Sequence, residues 1–241
     1  MVSADLNKLA ELLSREGFCN DVSALYSASN MCYNIPDEDS CSYNFGSLLF
    51  QPDAVGGKIP FNAEDILIKF SISIEINKIN STSVSDPLND LLFDLEIFGL
   101  YYDEASDSIK NLYSSWHLDR HIRIDNDGDN KYSHPQYHFT FGGKKMQEEN
   151  LDYGATLILP SPRIAYPPMD AALGIDFILQ NYINRNKTKS LLTNPEYREI
   201  INKSQTRLWK PFFCSLYSFF NPENLNISAD FSPRRLMPLY C

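Results

Sequence analysis

The sequence is short of basic residues, has few histidines, and contains no long apolar run. Lys and Arg number 21 against 31 Asp and Glu, for a net charge of -10. A broad cationic surface for nucleic acid is therefore not expected. No stretch approaches the ~20 apolar residues that span a bilayer. The first residues, MVSADLNKLAELLSREGF, lack the basic and apolar regions of a signal peptide. These absences predict a soluble, intracellular, cytoplasmic chain without membrane contact.

Cysteine is sparse and poorly patterned. Cys19, Cys32, Cys41, Cys214 and Cys241 make an odd count, and no CxxC pair occurs. Neither a disulfide framework nor a zinc ribbon is indicated, so reduced and mostly buried thiols are expected. No GxSxG element, P-loop or HExxH occurs either.

What is present is an aromatic-rich, foldable chain. It is 43% hydrophobic, with 14 Tyr and 15 Phe in 241 residues. That composition supports one large core and excludes disorder.

The pattern along the chain predicts a single α+β domain, with a central antiparallel meander of four or five strands between N-terminal and C-terminal helices. Residues 1–60 read as a helical and irregular arm. Leu6, Leu9, Ala10 and Leu13 recur at helical spacing, and Gly17 ends that helix. Residues 61–160 read as the sheet. "DILIKFSISIEINK" alternates and is β-branched, "DLLFDLEIFGLYYD" follows, then two arms of a hairpin, then "GATLILP". Residues 161–220 read as helices, with Asp170 capping one and Asn194-Pro195 opening another. Residues 221–241 read as a docked or loose tail.

All four histidines fall in one segment, Ser114 to Gly143: His117, His121, His134 and His138. Asn126-Asp127-Gly128-Asp129 at its centre is a turn signal. A four-residue loop there sets His121 opposite His134, Asp119 opposite Gln136 and His117 opposite His138. Strand alternation then places His117, Asp119, His121, His134 and His138 together on one polar side. Trp116, Leu118, Tyr137, Phe139 and Phe141 fall on the other. Opposed Cβ atoms stand roughly 4.5–5.5 Å apart. His117, His121, His134 and His138 could then ligate a divalent metal such as Zn or Mn, with Asp119 as ligand or orienter. The same five residues could serve as catalytic acid–base groups.

Three cations are candidate anion-binding residues. Lys144 and Lys145 follow "FGG" at 141–143, and Arg163 stands in the rigid "SPRIAYPPMD" crossing. "DNDGDN" at 125–130 begins like a calcium loop, but its sixth and twelfth positions hold Asn130 and Gln136 in place of Gly and Glu.

The order of helix, strand meander, Tyr-Pro-Pro corner and helices resembles ubiquitin-conjugating-like and RWD-type folds. No cysteine follows His134-Pro135-Gln136 closely enough to serve as a conjugating nucleophile, so the resemblance implies a non-catalytic binding module. Two function classes follow. One is an interaction protein or accessory subunit with a protein partner, supported by acidity, aromatics and the lack of a complete catalytic signature. The other is a small metal-dependent hydrolase, a phosphoesterase or nuclease, built on the histidine hairpin. The second requires at least three of the five site residues to converge within ligand distance.

Overall fold

A computed structural model describes residues 2–33, 40–53, 60–77, 82–120, 134–149, 163–223, 225–238 and 241. Its centre is a six-stranded antiparallel sheet in sequence order: β1 (Cys41–Phe50), β2 (Glu64–Ile76), β3 (Leu88–Asp103), β4 (Ser108–Arg120), β5 (Tyr137–Phe141) and β6 (Ile164–Ala165). Helices α1 (Val2–Arg15) and α2 (Ser23–Tyr33) precede it. A short α3 (Lys144–Glu148) follows β5, and α4 (Ala171–Tyr182), α5 (Arg185–Thr193), α6 (Pro195–Ser204), α7 (Lys210–Ser218) and α8 (Pro233–Leu236) complete the chain. The class is α+β, with one strand more than the upper expectation. No helix among the described residues is long and apolar enough to cross a membrane.

Two strands were not expected: β6, in the segment read as a rigid crossing, and β1, in a segment expected to be irregular. β1 escapes the period-two pattern because its register shifts between Phe45 and Leu48. Cys41, Tyr43 and Phe45 are buried before that irregularity, and Leu48 and Phe50 after it. The intervening polar residues mask the alternation. The fold also corrects the expectation of reduced thiols throughout. Cys32 of α2 and Cys41 of β1 form a disulfide, with Cα atoms 5.1 Å apart, while Cys19, Cys214 and Cys241 are free.

One sheet face is apolar. Phe70 of β2, Phe93 and Leu95 of β3, and Leu118 of β4 are fully buried there. Helix α4 lies against this face at close range. A Cβ on Gly174 would meet Phe93 Cε2 at 2.6 Å and Phe70 Cζ at 2.7 Å, so only glycine lets the helix approach this far. Asp170 caps α4 by accepting from Leu173 N, and Asn194 caps α6 by accepting from Glu196 N and Tyr197 N. Both caps match the sequence reading. Helix α5 was not expected; its segment, RNKTKSLLT, buries only Thr188 and Leu191.

The tail is docked. Val84 bridges Ile227, Gln136 N donates to Arg235 O, and Phe231 and Leu236 are buried. The predicted "GATLILP" strand, the loop at 126–129 and His121 lie outside the described residues.

Candidate metal centre

The second sheet face carries the polar residues, as alternation requires. Its geometry is set by pairing of β4 with β5. Asp119 stands opposite His138, and His117 opposite Thr140. The turn-based register had set His117 opposite His138, so the observed pairing is displaced by two residues. A displacement of two preserves every face assignment, because side chains alternate with period two. His117 and His138 therefore share a side, with different partners.

Three ligand-bearing side chains converge. One ligand atom from each of His117, Asp119 and His138 lies within 4.8 Å of the others. His134 does not join this group. Its ring packs edge-on against His138, with centroids 4.5 Å apart. The site is also less exposed than a solvent-facing strand surface. His138, His134 and Thr140 are buried.

The orientation of His138 is set by its neighbours. Its Nδ1 lies 3.3 Å from the carbonyl oxygen of Pro135. With its hydrogen on Nδ1 the ring donates to that carbonyl, and Nε2 then presents a lone pair when the ring is neutral. That Nε2 lies 2.9 Å from Asp119 Oδ1. Asp119 Oδ1 is buried and has no aligned hydrogen-bond donor. A proton or a metal cation between Nε2 and Oδ1 would satisfy both atoms. A backbone carbonyl on the far ring nitrogen is also the usual support of a metal-ligating histidine.

Protonation states suit the same chemistry. Burial holds His117 below the ordinary histidine range, against the opposing pull of Asp119. For Asp119, burial acts upward, but contact with His138 and the nearby His117 and His134 outweigh it and hold the carboxyl below its usual range. A neutral imidazole beside an ionised carboxylate is what a metal ion requires. Gly143 (φ +82°) supports the ring of His117, since a Cβ there would meet His117 Cε1 at 3.0 Å.

The expected anion-binding cations divide. Lys145 is already committed, its Nζ 2.9 Å from Asp94 Oδ2 and 3.4 Å from Glu96 Oε1. The side chain of Lys144 lies outside the described residues. Arg163 is half-buried just before β6 and acts electrostatically on His117.

Sequence reasoning missed Asp86. Buried beyond the edge of β3, it accepts from Leu88 N (3.1 Å), Arg120 Nε (2.8 Å), Gln136 Nε2 (2.5 Å) and the Tyr137 hydroxyl. Burial raises its carboxyl above the usual range, with Arg120 the main opposing influence. Nothing local in "VSDPLND" signals this role; its side-chain donors lie 34 to 51 residues away along the chain. No protein-family model matches the chain, and no curated protein or solved structure is significantly similar to it.

Proposed function

We propose that this protein is a small metal-dependent hydrolase whose divalent ion is held by His117, Asp119 and His138. The observation that carries the reading is the convergence of their ligand atoms within 4.8 Å. Two imidazoles and one carboxylate match the three-ligand sets of catalytic zinc sites, which leave a further position open. A bound divalent ion supplies Lewis acidity and brings a water's pKa to near 7. With such an ion bound, ester hydrolysis would place a water's oxygen on the electrophilic centre and a proton on the departing oxygen. The protein's part is to hold the ligands deprotonated and in place, which the burial of His117 and the Pro135 contact of His138 support.

The test is hydrolysis of p-nitrophenyl acetate, phosphate and bis-phosphate by chain stripped of metal and reloaded with zinc or manganese. Turnover of one ester that disappears on stripping, and in Asp119→Ala, is expected. Equal rates with and without metal contradict the reading.

One observation favours a second reading, that of a protein-interaction surface. Phe213 and Tyr217, one turn apart on α7, are 51% and 57% exposed, and Phe220 just beyond is 76% exposed. An aromatic patch of this kind fits a protein contact. Replacing Phe213 and Tyr217 with serine should release a co-purifying partner without lowering Tm. Retention of the partner by the double variant contradicts it.

A further inference from the structure

His117 and Asp119 on β4, with Thr140 and His138 on β5, form a two-by-two block on the outer sheet face. Three corners supply the ligand atoms of the candidate metal centre. The fourth, Thr140, is 8% exposed, and its Oγ1 is buried with no hydrogen-bond partner. An orphaned buried hydroxyl carries a desolvation cost. Native folds seldom keep one without a use.

Arg163 extends the same row. β5 pairs with β6 through His138↔Ala165 and Phe139↔Ile164. Continuing that register by one position sets Arg163 across from Thr140, and strand alternation returns it to the outer face. Its electrostatic effect on His117 agrees with that placement. Among the described residues no carboxylate forms an ion pair with it. The row therefore runs from Asp94 on β3, through His117 and Thr140, to Arg163 at the sheet edge.

We infer that Thr140 and Arg163 form an oxyanion subsite beside the metal centre, and that the substrate presents a phosphoryl group there. This rests on the metal-hydrolase reading. The Thr140 hydroxyl donates one hydrogen bond, and the Arg163 fork supplies charge and up to two more, the geometry that suits phosphate. A metal held by His117, Asp119 and His138 would attract a third oxygen of the same group. The surroundings restrict the substrate further. Asp94 lies next to His117 in the row, and the protein's net charge is -10, so a long polyanion would be repelled. The subsite fits a small phosphate ester and excludes a nucleic-acid backbone. Thr140 and Arg163 bind the substrate; neither takes up a metal ion.

The experiment uses the full chain loaded with Co²⁺, whose visible spectrum reports on ligands at the open position. Inorganic phosphate is titrated into wild type, Thr140→Val, Thr140→Ser and Arg163→Met, with acetate and a single-stranded DNA oligomer as competing probes. Phosphate should perturb the wild-type spectrum. Thr140→Val and Arg163→Met should each weaken phosphate ~10–100-fold, the range for one hydrogen bond to a charged group. Thr140→Ser should restore most of the affinity, and Co²⁺ affinity should stay within about twofold throughout. A merely structural threonine would instead lower Co²⁺ affinity and Tm along with phosphate binding. Normal Co²⁺ uptake with unchanged phosphate affinity in Thr140→Val overturns the subsite and leaves the metal centre standing. Acetate or DNA binding as tightly as phosphate overturns the substrate class. No Co²⁺ uptake by wild type overturns the metal reading, and the subsite with it.

Discussion

Arg120 and Tyr137 face each other across β4 and β5, and both donate to the carboxylate of Asp86. The next pair along the ladder is Asp119 and His138. One buried acid on the apolar side thus fixes the register that brings two ligand groups together on the other.

Removing that acid should be costly. Asp86→Ala leaves Arg120, Gln136 and Tyr137 with buried, unpaired donors. Breaking a buried charge pair in this way costs about 3–5 kcal/mol. At about 2–4 °C per kcal/mol for a chain of this size, Tm should fall by roughly 10 °C. Thermal unfolding followed by circular dichroism measures it, and a loss below about 1 kcal/mol would show that Asp86 is not the clamp.

How far the site was legible in the sequence follows from the same residues. The alternation of His117, Asp119, His134 and His138 against Trp116, Leu118 and Phe139 gave the faces correctly, since faces depend only on periodicity. The register did not follow, because it was anchored on an assumed loop length, whereas Asp86 anchors it from outside the hairpin. The strands β2 and β3 were legible for the same reason as the faces. β1 was not, because its register irregularity breaks the period at Gly46 and Ser47 and leaves an apolar residue, Leu49, on the exposed side. Helix α5 was hidden by its polar composition. Two caps, Asp170 and Asn194, were readable because capping chemistry is local.

The acid side of the stability profile should carry a signature of Glu96. Burial acts upward on its carboxyl, but Lys69, Tyr113 and Lys145 prevail and hold it below the ordinary glutamate range. A depressed folded-state value means the contribution is fully present above the unfolded glutamate pKa. It is lost as pH falls through the folded value. Denaturant unfolding of wild type should therefore weaken more steeply below about pH 4.5 than that of Glu96→Gln. Parallel curves would contradict the assignment.

The Cys32–Cys41 bridge should be measurable as stability. It closes a loop with a sequence separation of 9. Chain-entropy reasoning for a loop of that size gives about 2.5–3 kcal/mol. Reductant should lower the denaturation midpoint accordingly, and Cys32→Ser should make the protein insensitive to reductant. A non-reduced peptide map lacking the Cys32–Cys41 pair would contradict the linkage.

The most direct measurement is metal content. Untagged wild-type chain, dialysed against excess zinc or manganese and then against buffer, is analysed by elemental mass spectrometry beside His117→Ala and His138→Ala. His121 and His134 remain intact in both variants. The account predicts one equivalent of metal in the wild type and loss of most of it in each variant, with Tm showing that both remain folded. A folded wild-type chain that retains no metal, or variants that retain a full equivalent, would contradict a centre built on His117, Asp119 and His138.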